Sequence, residues 1–110
     1  MLAHMALGEF ELLVLLAVRR LGDEAYGVPV RDEIERRTAR AVARGAVYVT
    51  LDRLVRKGHL QTSMGDATAE RGGRAKRYFA LTPAGLKALK AALQAVERMQ
   101  HGLSLVPRRS

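Results

Sequence analysis

Apolar residues recur at helical spacing in four stretches of this chain and alternate at strand spacing in two. Leu7, Phe10, Leu13, Val14, Ala17, Val18 and Leu21 are three or four apart and predict an amphipathic helix from about 8 to 21. Gly22 is placed to stop it, and Asp23-Glu24-Ala25 makes a short turn. Tyr26-Gly27-Val28-Pro29 opens a second helix, with Pro29 in the first turn. Val30, Ile34 and Thr38 share one of its faces and Arg31, Glu35 and Arg36 the other. Arg40 to Arg44 is a polar interruption with a brief strand expected at Ala41-Val42-Ala43.

A third helix starts at Gly45 and ends at Gly58, with Val47, Leu51, Leu54 and Val55 as its apolar stripe. At 100° per residue, Val49, Asp52, Arg53 and Arg56 fall opposite that stripe and Tyr48 on its flank. His59 to Met64 reads as a strand in which Leu60, Thr62 and Met64 alternate with Gln61 and Ser63. Lys76 to Leu81 is the returning strand, and 65–75 is a long loop between them. Thr82-Pro83 then supplies an N-cap and an N1 proline for a helix from about 83 to 101, closed by Gly102. Leu86, Leu89, Leu93, Val96, Gln100 and Leu103 repeat at three and four, a heptad-like seam longer than a small core requires.

The predicted order is helix, helix, helix, strand, loop, strand, long helix. The fold class is therefore mainly α with a small β-hairpin, a winged helix-turn-helix with a C-terminal dimerisation helix. The expected division is a DNA-binding unit over 1–82, the helix over 83–103 and a tail over 104–110.

Charge gives this outline a partner. The net charge is +8 and the isoelectric point near 10.8, which fits a polyanion. The cations cluster at Arg36, Arg37, Arg40 and Arg44, at Arg53, Arg56 and Lys57, and in the run Arg71-Gly-Gly-Arg74-Ala-Lys76-Arg77, whereas most acids fall between Glu9 and Glu35. A basic, glycine-containing hairpin tip beside an amphipathic helix suits a wing next to a recognition helix in the major groove. Tyr48, Val49, Thr50, Asp52 and Arg53 are the candidates for base-edge contact. Arg44, Arg56, Lys57, Arg71, Arg74, Lys76 and Arg77 are the candidates for the backbone or minor groove. A winged-helix module that binds protein or RNA without operator specificity is the second reading.

Little points elsewhere. The chain has 110 residues and no cysteine, which removes disulfides and thiolate metal sites. His4, His59 and His101 have no metal-ligand spacing, and no paired acid, base and nucleophile suggests an enzyme. No cofactor or metal is expected. Asp32-Glu33-Glu35 reads as a solvated face on an arginine-rich helix. The longest apolar run, Leu12 to Val18, is far short of the roughly 20 residues that cross a bilayer. Met1 to Gly8 lacks the basic start of a secretory signal, so a cytoplasmic protein without membrane contact is expected.

Several segments together resemble a known family. Leu7-Gly8-Glu9-Phe10, Tyr26-Gly27, Gly45-Ala46-Val47-Tyr48-x-x-Leu51-x-Arg53-Leu54-x-x-Lys57-Gly58 and Arg77-Tyr78-Phe79-x-Leu81-Thr82-x-x-Gly85 are similar to the PadR family of bacterial transcriptional regulators. The resemblance implies a homodimer on a pseudo-palindromic duplex operator, acting as a repressor that a small hydrophobic effector relieves. It assigns DNA contact to Tyr26, to Tyr48 with its helix neighbours, Ala46 included, and to the basic wing. The expected dimer interface combines Leu7, Phe10 and Leu13 with Leu86, Leu89, Leu93, Val96 and Gln100. Two positions depart from the pattern. Arg44 stands where the family often has a small or polar residue, and the chain lacks the tryptophan that some relatives stack on flat ligands.

Overall fold

In the computed structural model, residues 7–65 and 75–107 are described. They form α1 (Glu9–Leu21), α2 (Gly27–Thr38), α3 (Arg44–Arg56), β1 (Leu60–Met64), β2 (Arg77–Leu81) and α4 (Pro83–Gln100). The order is the one the periodicity predicts.

α1 is the central helix and packs on α2, α3, α4 and β2. Val14, Leu15, Ala17 and Val18 are buried along it. Its first turn carries Glu9 and Glu11 and its last turn Arg19 and Arg20, which matches charge to the helix dipole. Gly22 follows in the left-handed half of backbone space at φ 56°, and Gly22–Glu24 form one 3₁₀ turn. Val30 and Ile34 of α2 and Val47, Leu51 and Leu54 of α3 close the core from the other side, with Leu60, Phe79 and Leu89 below.

The expected strand at Ala41-Val42-Ala43 is absent. Side chains of α2 take the backbone groups a strand would have used: Arg31 Nε donates to the Val42 carbonyl at 2.7 Å, and Val42 N–H donates to Glu35 at 2.8 Å. The Val42 side chain is buried in this extended link. α3 then begins at Arg44, one residue before the expected start.

β1 and β2 pair antiparallel with Leu60 opposite Leu81, Thr62 opposite Phe79 and Met64 opposite Arg77. One face of the hairpin thus runs from an apolar pair at the root to a Met64–Arg77 pair at the last described rung. Leu60 and Phe79 are buried, whereas Met64 is 64% exposed because the hairpin has left the core by that point. The second edge of β2 is tied down as well. Phe79 N–H donates to the Ala25 carbonyl at 2.8 Å, and Tyr26 bridges to Tyr78.

Thr82 joins the hairpin to α4. Its Oγ1 accepts from Gly85 N–H at 2.9 Å and donates to the Gly58 carbonyl at 2.6 Å, and its own N–H reaches the His59 carbonyl at 3.1 Å. Gly85 lies so close to the His59 backbone that a Cβ would collide with that carbonyl. The Leu-Thr-x-x-Gly segment is therefore a cap combined with a close backbone crossing. Beyond it α4 changes character. Leu89 is 4% exposed, but Leu93 is 41% and Val96 56% exposed. Leu89, expected in a dimer seam, is buried instead in the core of the chain itself. Among the described residues no helix is long and apolar enough to cross a membrane.

Candidate nucleic-acid interface

The outer face of α3 presents Arg44, Ala46, Tyr48, Val49, Arg53 and Arg56 to solvent, with Asp52 half-exposed. Arg44, Arg53 and Arg56 form no ion pair among the described residues. Tyr48 has a defined seat: its ring and hydroxyl lie against Gly27, where any Cβ would overlap them. Glycine at the first position of α2 thus lets the tyrosine cross from α3 to the start of α2. Tyr26-Gly27 and Ala46-Val47-Tyr48 are two halves of one contact.

Two candidates face the wrong way. Thr50 is 5% exposed, because three residues after Val47 and one before Leu51 it falls on the apolar stripe. It packs inward and is not a base-reading residue. Lys57 also turns away from any ligand. Its ammonium meets both oxygens of Glu11, at 3.0 and 2.8 Å, and the two side chains are 15% and 8% exposed. Burial pushes the Glu11 carboxyl upward. The hydrogen bonds from Lys57 and from Gly8 N–H, with the Lys57 and Arg53 charges, outweigh it and hold the group below the usual carboxylate range.

The hairpin is fastened beside α3 at two points. Tyr26 and Tyr78 meet edge to face with centroids 5.4 Å apart. Lys76 lies 4.5 Å from the Tyr26 ring centre and donates to its hydroxyl at 3.2 Å. Arg77 makes the second attachment. It reaches Asp52 of α3 at 2.6 Å, donates from Nε to Thr62 Oγ1 at 3.0 Å, and rests over the Phe79 ring at 4.9 Å. The expected wing residues Arg71 and Arg74 lie outside the described residues.

Glu33 revises one expectation. Of the three acids expected on a solvated face of α2, Asp32 is exposed and Glu35 half-buried, but Glu33 is 8% exposed and is held by Arg36 at 2.6 Å and by Arg37. Hydrogen bonds from Arg37 and Arg36 keep its carboxyl below the usual range. Two of the cations counted toward a basic surface are therefore already paired with an acid of their own helix.

Of the residues expected in a dimer interface, Leu93, Val96 and Gln100 are exposed, and Leu86 is half-buried. Leu7, Phe10 and Leu13 are partly buried against the core. Phe10 and Leu13 also line a recess of about 300 Å³ with Ile34, Val42 and Ala46, rimmed by the Glu9–Arg40 ion pair. Sequence reasoning missed Gly27, Thr62 and Glu11 as parts of this architecture. The Tyr26-Gly27 pair was the available signal for the first, and the other two carry none that spacing reveals.

A third helix exposed along one side, with a two-stranded wing pinned next to it, defines a winged helix-turn-helix protein. The chain belongs to the transcriptional regulator PadR-like family, which it matches over residues 14–91. This fold supports DNA-binding transcription regulation. Among solved structures it is similar to RosR of H. salinarum, at 26% identity over 89% of this chain and 81% of that one, with a TM-score of 0.67. A PadR-like transcription factor from Bacteroides fragilis aligns at 22% identity over 83% and 82% of the two chains, with a TM-score of 0.69. A transcriptional regulator from Clostridium thermocellum gives 22%, 82%, 82% and 0.69. The last two likenesses speak to the fold alone. No curated protein matches the chain.

Proposed function

We propose that this chain is a homodimeric repressor that binds a pseudo-palindromic duplex operator and is released from it by a small hydrophobic effector. The observation that carries the DNA reading is the outer face of α3. Tyr48, Val49, Arg53 and Arg56 are exposed there, Arg44 is at its N-terminus, and the wing is braced alongside through Lys76 and Arg77. In this reading α3 enters the major groove. Val49, Asp52 and Arg53 meet base edges, while Arg44, Arg56, Tyr26 and Lys76 meet phosphate. Arg71 and Arg74 are taken as further phosphate contacts on the strength of their charge alone.

The apolar outer side of α4 and of the residues after it supports a second copy. Leu93, Val96, Met99 and Leu103 are apolar and 41–80% exposed, and nothing among the described residues covers them. Two such helices packed together would set two α3 helices on successive major grooves, roughly 34 Å apart. The effector is taken to bind near that junction. Repression and effector release rest on the family likeness, as does a cytoplasmic site of action.

The test is fluorescence anisotropy with duplexes selected by the protein from a randomised pool. Affinity should fall steeply as salt rises, by a factor of roughly 10³ or more between 50 and 200 mM if six or more phosphates are contacted per dimer. Arg53→Ala should weaken binding to the selected duplex more than binding to a shuffled one. Equal losses on both would remove Arg53 from sequence readout. A protein that ignores duplex DNA at low salt would end this reading.

A further inference from the structure

Asp52 is the single acidic residue in the sequence of α3, and it stands on the face that carries Arg53 and Arg56. A carboxylate turned toward a polyanion opposes binding to every DNA sequence alike. Here it is also the anchor of the wing's Arg77, which it holds at 2.6 Å. Arg77 is in turn kept in place by Thr62 and by the Phe79 ring. Both charged side chains remain open to solvent, at 40% and 45% exposure, so a ligand can reach either.

We infer that the Asp52–Arg77 pair is a specificity device that keeps the wing's Arg77 off the DNA backbone until Asp52 meets a cytosine. This rests on the DNA reading above. In the major groove the amino group of cytosine is a donor suited to a carboxylate. A random sequence offers Asp52 phosphate charge and mostly base acceptors. The carboxylate then stays with Arg77, and the pair presents no net charge. At the right sequence the cytosine N4 amino group donates to Asp52, Arg77 is freed, and its guanidinium turns to a phosphate. One exchange of partners thus lowers affinity for wrong sites and raises it for the right one. The interlocked contacts make the exchange discrete: Arg77 gives up Asp52 while Thr62 Oγ1, which also bonds the Tyr78 carbonyl, keeps the strand in place.

The experiment uses the full chain, with a duplex selected by the parent protein from a randomised pool and a shuffled duplex of the same composition. Anisotropy titrations are run from 50 to 300 mM KCl. Asp52→Ala should bind the shuffled duplex several-fold more tightly and lose about tenfold of the preference for the selected one. Its salt dependence on the shuffled duplex should steepen by about one phosphate per subunit, since Arg77 is free on any sequence. Selection repeated with Asp52→Ala should lose a cytosine preference at one position in each half-site. With Asp52→Asn that position should shift toward adenine. An Asp52→Ala protein that keeps the parent's preference, or that binds both duplexes more weakly, overturns the inference while leaving DNA binding intact. A parent protein that binds neither duplex at low salt overturns both.

Discussion

The two sides of α3 use the same kinds of residue to opposite ends. On its inner side, at the residue that ends it, a lysine is shut away with a glutamate of α1: Lys57 and Glu11 are 15% and 8% exposed and bonded through both carboxylate oxygens. On its outer side an arginine and an aspartate meet at 2.6 Å with 40% and 45% of their surface in water. The inner pair bolts α3 to α1, and its charges are spent on each other. The outer pair joins α3 to the wing, and its charges stay available to a third party. A count of basic residues along the chain gives Lys57 and Arg77 equal weight as DNA ligands. Burial separates them, because a charge removed from water is committed to its partner whereas an exposed one can exchange.

Breaking the inner bolt should have the largest effect. Lys57→Ala leaves the Glu11 carboxylate buried beside a gap, so we expect a loss of about 3 kcal/mol in unfolding free energy, measured by urea denaturation. The fraction that remains folded should bind duplex DNA with the parent's salt slope, since Lys57 touches no phosphate. A shallower slope would return Lys57 to the interface.

Acid should loosen the same contact by a smaller step. The folded-state Glu11 carboxyl is held below its unfolded value of about 4.3. Its contribution is therefore complete above that pH and is lost as pH falls through the lower, folded-state value. Glu9 and Glu33 are depressed by their arginines and act in the same window. The useful comparison is with Glu11→Gln, which should be less stable than the parent near neutrality and should lose less on going to pH 3. Parallel curves for the two proteins would show that Glu11 does not feel Lys57.

The sequence made the frame legible because burial imposes a period. Val14, Val18, Val30, Ile34, Leu51 and Leu54 fall on the predicted stripes and in the core. The two end signals at α4, Thr82 and Gly102, are local chemistry that needs no tertiary context. Thr50 is a base-contact candidate by its place near the start of α3, whereas its angle on the helix puts it with Val47 and Leu51 in the core. Lys57 was misread because its partner is 46 residues away. Ala41-Val42-Ala43 looks like a strand by propensity, but Arg31 and Glu35 compete for its backbone. Leu89 and Leu93 are one repeat step apart in a continuous seam. Only the point where α4 leaves its own domain divides them into core and surface.

Gly27 sharpens the contrast from the outer side. Gly27→Ala puts a methyl group where the Tyr48 ring lies. The ring is the end of a flexible side chain and can swing out toward solvent, so the cost in stability should be only about 1 kcal/mol, at the low end for an overpacked contact. The displaced tyrosine, however, would stand in the path of the groove. We expect duplex affinity to fall by more than the stability change accounts for, checked by anisotropy on the selected duplex with thermal melting as the control. Unchanged affinity would mean that the seat of Tyr48 does not matter to DNA.

The smallest expected effect is the one the comparison needs most. If the outer pair exists for a ligand, removing it should hardly change folding. An exposed pair gains little Coulomb energy in high dielectric and loses side-chain freedom in forming, so Asp52→Asn and Arg77→Ala should each alter unfolding free energy by no more than about 0.5 kcal/mol. A double-mutant cycle over the two positions should give a coupling of similar size that fades as salt is raised past 0.15 M, where exposed charges are screened beyond about 8 Å. The Phe79 contact bounds this from one side, since Arg77→Ala also uncovers part of that ring and Asp52→Asn does not. A coupling of 2 kcal/mol or more would place the outer pair in the same class as Lys57 and Glu11. Arg77 would then be a structural strut of the wing, too firmly held to change partners on DNA.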